Sequence, residues 1–221
     1  MKNGVFVTAT DTGVGKTFIA SGLALCMKEI GMDVGVMKPV ATGKSEDVNI
    51  LIRSVNSNDD INDINPIYLP LEASPLIAKR VLKKEIDISK IKSSFERLAN
   101  RHEYMIVEGI GGIMVPITES YMVIDMIKEL NLPTIIVCKG ALGTINHTLL
   151  TINALRTNSV KIAGIIANNV NNNLDEYAID AIKEISNTPL LGKIPTINID
   201  EYLLAAKNAI KRYIRYDLLI T

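Results

Sequence analysis

The chain has 221 residues, 48% of them hydrophobic and 22% charged, which is enough to bury one substantial core. Its 24 lysines and arginines balance 24 aspartates and glutamates, so no global field draws nucleic acid or an acidic membrane surface, and a small-molecule partner is expected. The start of the chain lacks the pattern of a secretory signal, and apolar runs such as residues 133–138 fall far short of the roughly 20 needed to span a membrane. The expectation is one cytoplasmic domain over residues 1–221, with Cys26 and Cys138 as packing residues of a reducing compartment.

The first element is an apolar strand at residues 5–8. It runs into Thr8-Ala9-Thr10-Asp11-Thr12-Gly13-Val14-Gly15-Lys16-Thr17, and a helical period follows over 16–30. Strand, glycine-containing loop, Lys-Thr and helix come in the order of a phosphate-binding P-loop, although Thr10 stands where the first glycine of the usual pattern belongs. Loop amides and the helix N-terminus would cradle phosphates, Lys16 would neutralise the β and γ oxygens, and the Thr17 hydroxyl would coordinate Mg2+.

A second strand at 34–37 delivers Lys38-Pro39-Val40-Ala41-Thr42-Gly43. A lysine at a strand's carboxyl end can hold an anionic substrate group or stabilise a phosphoryl group in transfer, and Thr42 can add a hydroxyl. Asp47 follows in a stretch that could equally complement a helix dipole. Residues 54–66, rich in Asn, Asp and Ser, read as an exposed loop.

A helix at 88–101 leads to a strand at 104–107, which ends in Glu108-Gly109-Ile110-Gly111-Gly112. That carboxylate is placed like a Walker B residue, and the glycines permit close approach to a γ-phosphate. A helix at 123–129, a strand at 134–138, a helix at 144–157, a strand at 162–167 and a helix at 174–186 complete the alternation. Such an order specifies an α/β fold of P-loop NTPase type: a mostly parallel sheet with helices on both faces and ligands at the strands' carboxyl ends. The Asn-rich stretch 168–173 lies at one of these ends, and His102 and His147 lack metal-ligand spacing.

The segments TDTGVGKT, KPVATG, VEGIGGIMVP, LGTINHTLLT, IANNV and LLGKIP, in this order across nearly the whole chain, closely resemble the dethiobiotin synthetase family. The resemblance implies a homodimer that uses ATP and Mg2+ to close a cyclic urea from 7,8-diaminopelargonate and CO2, through a carbamate and its phosphorylated form. It places Lys16 and Lys38 in catalysis and Thr17, Asp47 and Glu108 on the metal. It extends the nucleotide contacts to Thr12, Gly13, Val14, Gly15, Phe18, Gly109, Ile110, Gly111, Asn168 and Asn169, with Asn168 on the adenine and Pro195, Thr196 and Ile197 lining the base. Thr42 would touch substrate, while Leu142, Gly143, Asn146 and Tyr177 would receive its carboxylate end from the partner subunit. Helix capping is the plain alternative for Asn146 and His147.

This chain departs from the family pattern where Ala9 replaces a frequent glycine and Gly13 a frequent acid, and Asp200 and Glu201 are both open as the ribose-binding acid. Partitioning and metal-cluster ATPases of the same class carry a lysine early in the loop, where this chain has Asp11.

Overall fold

The structure, a computed structural model, describes residues 3–44, 46–198 and 200–220. In chain order the elements are β1 (Gly4–Ala9), α1 (Lys16–Glu29), β2 (Val34–Met37), β3 (Val40–Thr42), α2 (Glu46–Val55), α3 (Ile61–Ile64), β4 (Ile67–Leu69), α4 (Pro75–Leu82) and α5 (Ser89–Ala99). They continue as β5 (Tyr104–Glu108), α6 (Val123–Leu130), β6 (Thr134–Lys139), α7 (Thr144–Thr157), β7 (Ile162–Asn168), α8 (Asn173–Ser186), β8 (Leu190–Lys193) and α9 (Tyr202–Tyr213), closing on a 3-10 turn at Tyr216–Leu219.

Six strands form a parallel sheet in the order β2-β5-β1-β6-β7-β8, with β1 in register against β5 at Phe6 and Val107 and against β6 at Thr8 and Ile136. β1 is buried throughout because its two faces serve two cores. Val5, Val7 and Ala9 pack with α1, α2 and α9, whereas Phe6 joins Met37, Met105 and Val107 against α5 to α8. Helices therefore cover both faces, as the alternation anticipated. Each fully buried large side chain, such as Phe6, Leu23 or Ile106, contributes about 1.5–3 kcal/mol of hydrophobic stabilisation.

Two features of α1 set the geometry of the site. It begins behind Gly15, whose φ of 102° is left-handed and excludes a side chain at low cost. It also carries Gly22, where a Cβ would stand 2.6 Å from Ile210 Cγ1 and 2.7 Å from Ala206 O, so α9 can lie directly against it. That close approach carries Tyr202, at the start of α9, over Phe18 with ring centroids 5.7 Å apart in an edge-on arrangement.

The stretch 54–66 is an exposed loop only in part. Asn56, Asn58 and residues 60–62 are exposed, but α2 buries Ser54 and Val55, and α3 buries Asp63 and Ile64. The polar side chains that suggested solvent are neutralised within the fold: Arg97 pairs with Asp63 at 2.6 Å, and Arg101 and His102 pair with Asp59 at 3.3 and 2.9 Å. The short strands β3, β4 and β8, together with α2, α4 and α9, add to the elements expected from periodicity. Among the described residues no helix is long and apolar enough to cross a membrane.

Candidate functional site

The loops that leave the carboxyl ends of β1, β2 and β5 meet over one cleft of about 530 Å3. From β1 come Thr12, Gly13 and Gly15, with Lys16 and Thr17 opening α1. Gly13 and Gly15 both have positive φ, at 72° and 102°, whereas Thr10 does not. That is why a threonine is tolerated where the usual pattern has glycine. No side chain caps α1, so its first amides are free to meet an anion in the direction that the helix dipole favours.

Lys38 is the hub of the opposite wall. Its Nζ lies 2.5 Å from Glu108 Oε1, 2.9 Å from Asp47 Oδ2 and 3.1 Å from the Gly109 carbonyl. Burial alone would lower its pKa, but the charges of Glu108 and Asp47 outweigh that and raise it, so the ammonium is firmly protonated. Lys16 moves the other way: burial lowers its pKa and the nearby Lys38 adds to the effect. Glu108 is completely buried at the end of β5, and burial lifts its pKa despite Lys38. Its Oε1 also accepts from the Thr17 hydroxyl at 2.9 Å, while its Oε2 has no hydrogen-bond partner.

The donors Thr17 Oγ1, Asp47 and Glu108 are hard oxygens, and the orphaned Oε2 is an acceptor that a hard cation would satisfy. The set fits Mg2+. Among the described residues no group of three or more His, Cys, Asp and Glu side chains could hold a metal by itself. A cation here would therefore complete its shell with the threonine hydroxyl, water and phosphate oxygens, as Mg2+ commonly does.

Sequence reasoning missed the parts that hold Lys38 in place. The Lys38 amide donates to the Ile64 carbonyl at 2.8 Å, and the Asn65 side chain donates to the Lys38 carbonyl at 2.6 Å. Both residues come from the stretch expected to be a solvent-exposed loop. Its Asn-rich composition gave no sign of a buried role, because the partner is distant in sequence.

The remaining expected residues fall into three groups. Thr42, Ile110 and Gly111 line the cleft, Gly109 sits beside it, and Phe18 is not in the lining but packs on Tyr202, which is. Asn168, nearly buried at the end of β7, donates to the Val14 carbonyl at 2.9 Å and packs so closely on Gly15 that a Cβ there would collide with it. Beside it, the Thr196 amide and hydroxyl reach the side chains of Asn171 and Asn169 at 2.9 and 3.4 Å, which draws the Pro195 to Ile197 segment alongside Asn168. Asp200 and Glu201 line a separate groove of about 460 Å3 with Leu204 and Arg212, and Tyr202, next in the chain, lines the cleft that holds Lys16 and Lys38.

Leu142, Gly143, Asn146 and Tyr177 lie outside the cleft and are exposed. Capping does not account for Asn146: the residue at the N-cap of α7 is Gly143, with φ 91°, and no side chain bonds the helix end. Exposed apolar side chains are Leu142 in the loop before α7, Ile145 and Leu150 on α7, and Leu174 and Tyr177 on α8, the helix packed against α7.

A parallel sheet with a glycine-bent loop, Lys-Thr and an uncapped helix at its centre, and a strand-end carboxylate beside them, defines a P-loop nucleotide-binding protein. Solved structures of that class share the fold, among them the septum site-determining protein MinD from Pyrococcus horikoshii, complexed with Mg-ADP. It matches with a TM-score of 0.66 at 17% identity, over 96% of this chain and 88% of that one. Residues 3–199 match the sequence profile of the AAA domain family. An ATP-dependent dethiobiotin synthetase BioD from Nitrosopumilus maritimus is 42% identical over 204 residues, 87% of this chain and 89% of that protein. The counterpart from Bacillus subtilis strain 168 is 39% identical over 202 residues, 88% of this chain and 87% of its own length. The chain belongs to the ATP-dependent dethiobiotin synthetase family, ligases of biotin biosynthesis, and is an enzyme of that kind.

Proposed function

We propose that the enzyme forms dethiobiotin from 7,8-diaminopelargonate, CO2 and ATP. One amine captures CO2 as a carbamate, ATP phosphorylates the carbamate, and the neighbouring amine displaces phosphate to close the ring. The observation that carries this reading is the convergence of Lys16, Thr17, Lys38, Asp47 and Glu108 on one cleft.

In this reading the P-loop amides and Lys16 hold the nucleotide's phosphates. Thr17, Asp47 and Glu108 would hold Mg2+, which when bound draws negative charge from the phosphoryl group in transfer. Lys38, kept protonated, holds the carbamate carboxylate against the γ-phosphate, so that the two anions meet between the Lys38 and Lys16 cations. No side chain has to supply covalent chemistry, and alignment of the reactants does much of the work. Asn168 and residues 195–197 would flank the base, at the end of the sheet beyond Gly15.

The protein would act as a dimer, with Asn146 and Tyr177 of each subunit completing the cleft of the other. The apolar side chains exposed on α7 and on α8, two helices packed on each other, support this, since apolar surface left open to solvent is what a subunit interface covers. The direct test is mass-spectrometric detection of dethiobiotin from the diamine, bicarbonate and ATP, with phosphate release followed in parallel. Slow phosphate release indifferent to the diamine would instead mark a nucleotide switch.

A further inference from the structure

A vicinal diamine enters this cleft as a cation, since aliphatic amines are protonated at neutral pH. Lys16, Lys38 and the exposed Lys44 repel it, and Asp47 and Glu108 already balance Lys38. Among the described residues that line the cleft, Glu46 and Glu72 are the carboxylates left over, and the side chain of neither has a hydrogen bond or ion pair to a described residue. Glu46 lies in the first turn of α2, where the helix dipole favours its charge and accounts for its presence.

Glu72 has no such explanation. It sits in the loop between β4 and α4, and its backbone presses on the turn that follows Thr42: a Cβ at Gly43 would stand 3.2 Å from Glu72 Cβ and 3.3 Å from its Cα. Gly43 has a φ of 68°, which favours glycine, and the turn is braced by the Tyr68 hydroxyl on the Gly43 carbonyl at 2.8 Å and by the Gly43 amide on Leu69 O at 3.0 Å. The base of Glu72 is fixed while its carboxylate is free and solvent-exposed.

We infer that Glu72 receives the ammonium of the amine that closes the ring and takes the proton it sheds. The inference rests on the ligase reading above. In the closing step the amine nitrogen bonds to the carbamoyl carbon, the bond from that carbon to the phosphate oxygen breaks, and phosphate leaves with the electron pair. Before it attacks, the ammonium gives one proton to the Glu72 carboxylate, which releases it to water, so that the nitrogen has its lone pair; the second proton, shed as the urea N–H forms, leaves by the same route.

The experiment compares Glu72→Gln, Glu72→Asp and Glu46→Gln in steady-state kinetics with the diamine, bicarbonate and ATP. Glu72→Gln lowers kcat/KM for the diamine by about tenfold or more and moves the rising limb of its pH profile upward, with the KM for ATP unchanged. Glu72→Asp recovers most of the loss, and Glu46→Gln behaves as wild type. An unchanged diamine KM and pH profile in Glu72→Gln, or an equal loss in Glu46→Gln, overturns the assignment. Wild-type protein that forms no dethiobiotin overturns the ligase reading and this inference with it, whereas wild-type turnover with an indifferent Glu72→Gln overturns the inference alone.

Discussion

Lys38 Nζ lies 2.5 Å from Glu108 Oε1, both side chains are buried, and among the described residues the other carboxylate paired with Lys38 is the half-exposed Asp47. Removing Glu108 leaves a buried ammonium with one solvent-screened partner, at a cost of about 3–5 kcal/mol. Glu108→Gln should therefore be strongly destabilised in urea unfolding without metal or nucleotide. Asp47→Asn should lose no more than about 1 kcal/mol, because water can replace that partner. Equal losses would mean that the two carboxylates share the lysine evenly, contrary to their burial.

The same two substitutions should behave alike in a metal titration. A neutral amide is a poorer ligand for a hard cation than a carboxylate, so Asp47→Asn and Glu108→Gln should each raise the Mg2+ needed for half-maximal turnover. ADP binding measured without metal should change less. An unchanged Mg2+ titration would remove the residue concerned from the metal site.

Lys16 is nearly buried beside the P-loop carbonyl of Asp11, and its folded-state pKa is lowered chiefly by burial. Lys16→Ala should keep the circular dichroism and melting behaviour of the wild type while turnover falls by about a hundredfold or more, the size expected for losing a preorganised charge at a developing anion. Near-normal dethiobiotin formation would overturn the phosphate assignment.

The part of this architecture that could be read from the sequence is the part with a local period. Residues 34–37 and 144–157 were expected with the limits they have, and the other expected strands and helices lie within one or two residues of theirs, whereas α2, α4 and α9 were not expected. β3 and β4 are three residues each, too short to show alternation, and they are held by pairing Thr42 with Leu69. The stretch 54–66 misled because its acids Asp59 and Asp63 are satisfied by Arg97, Arg101 and His102, 34 to 43 positions away. In the site, Lys16 and Glu108 were legible because strand, turn and charge are contiguous. Tyr202 and Glu72 were not, since what brings them to the cleft is the packing of α9 on Gly22 and the turn at Gly43.

His102 gives the fold a pH dependence separate from catalysis. Its Nδ1 and Nε2 each lie 2.9 Å from Asp33 and Asp59, and although burial lowers its pKa, those hydrogen bonds outweigh it and raise the value above 6.5. A raised folded-state pKa stabilises fully below the unfolded value and is lost as pH rises through the folded one. Wild-type stability in urea should thus decline above about pH 6.5, and His102→Gln should flatten that decline. Asp59 has the opposite sign: burial raises its pKa, but bonds from Ser57 and His102 outweigh it and lower it, so its contribution holds above 3.8 and fades as acid reaches the depressed value. A His102→Gln curve parallel to wild type between about pH 6 and 8 would rule out the histidine as the source.

The sharing of each site between two subunits can be tested without further structural work. If phosphate chemistry comes from one chain, through Lys38, and substrate anchoring from the other, through Asn146, then Lys38→Ala and Asn146→Ala should each be nearly inactive alone. In a mixed dimer one site collects both lesions and the other collects none, because each site pairs Lys38 of one chain with Asn146 of its neighbour. Random pairing makes about half the dimers mixed, and each has one intact site of two, so co-expression should restore about one quarter of wild-type activity under two-fold symmetry. Two different affinity tags allow the mixed species to be isolated, and there the figure rises to about one half by the same symmetry. A site confined to one chain predicts no rescue, because every chain would carry its own defect. Inactive dimers shown to contain both variants would end the shared-site reading and leave Asn146 an exposed residue of the first turn of α7 without a role in substrate binding.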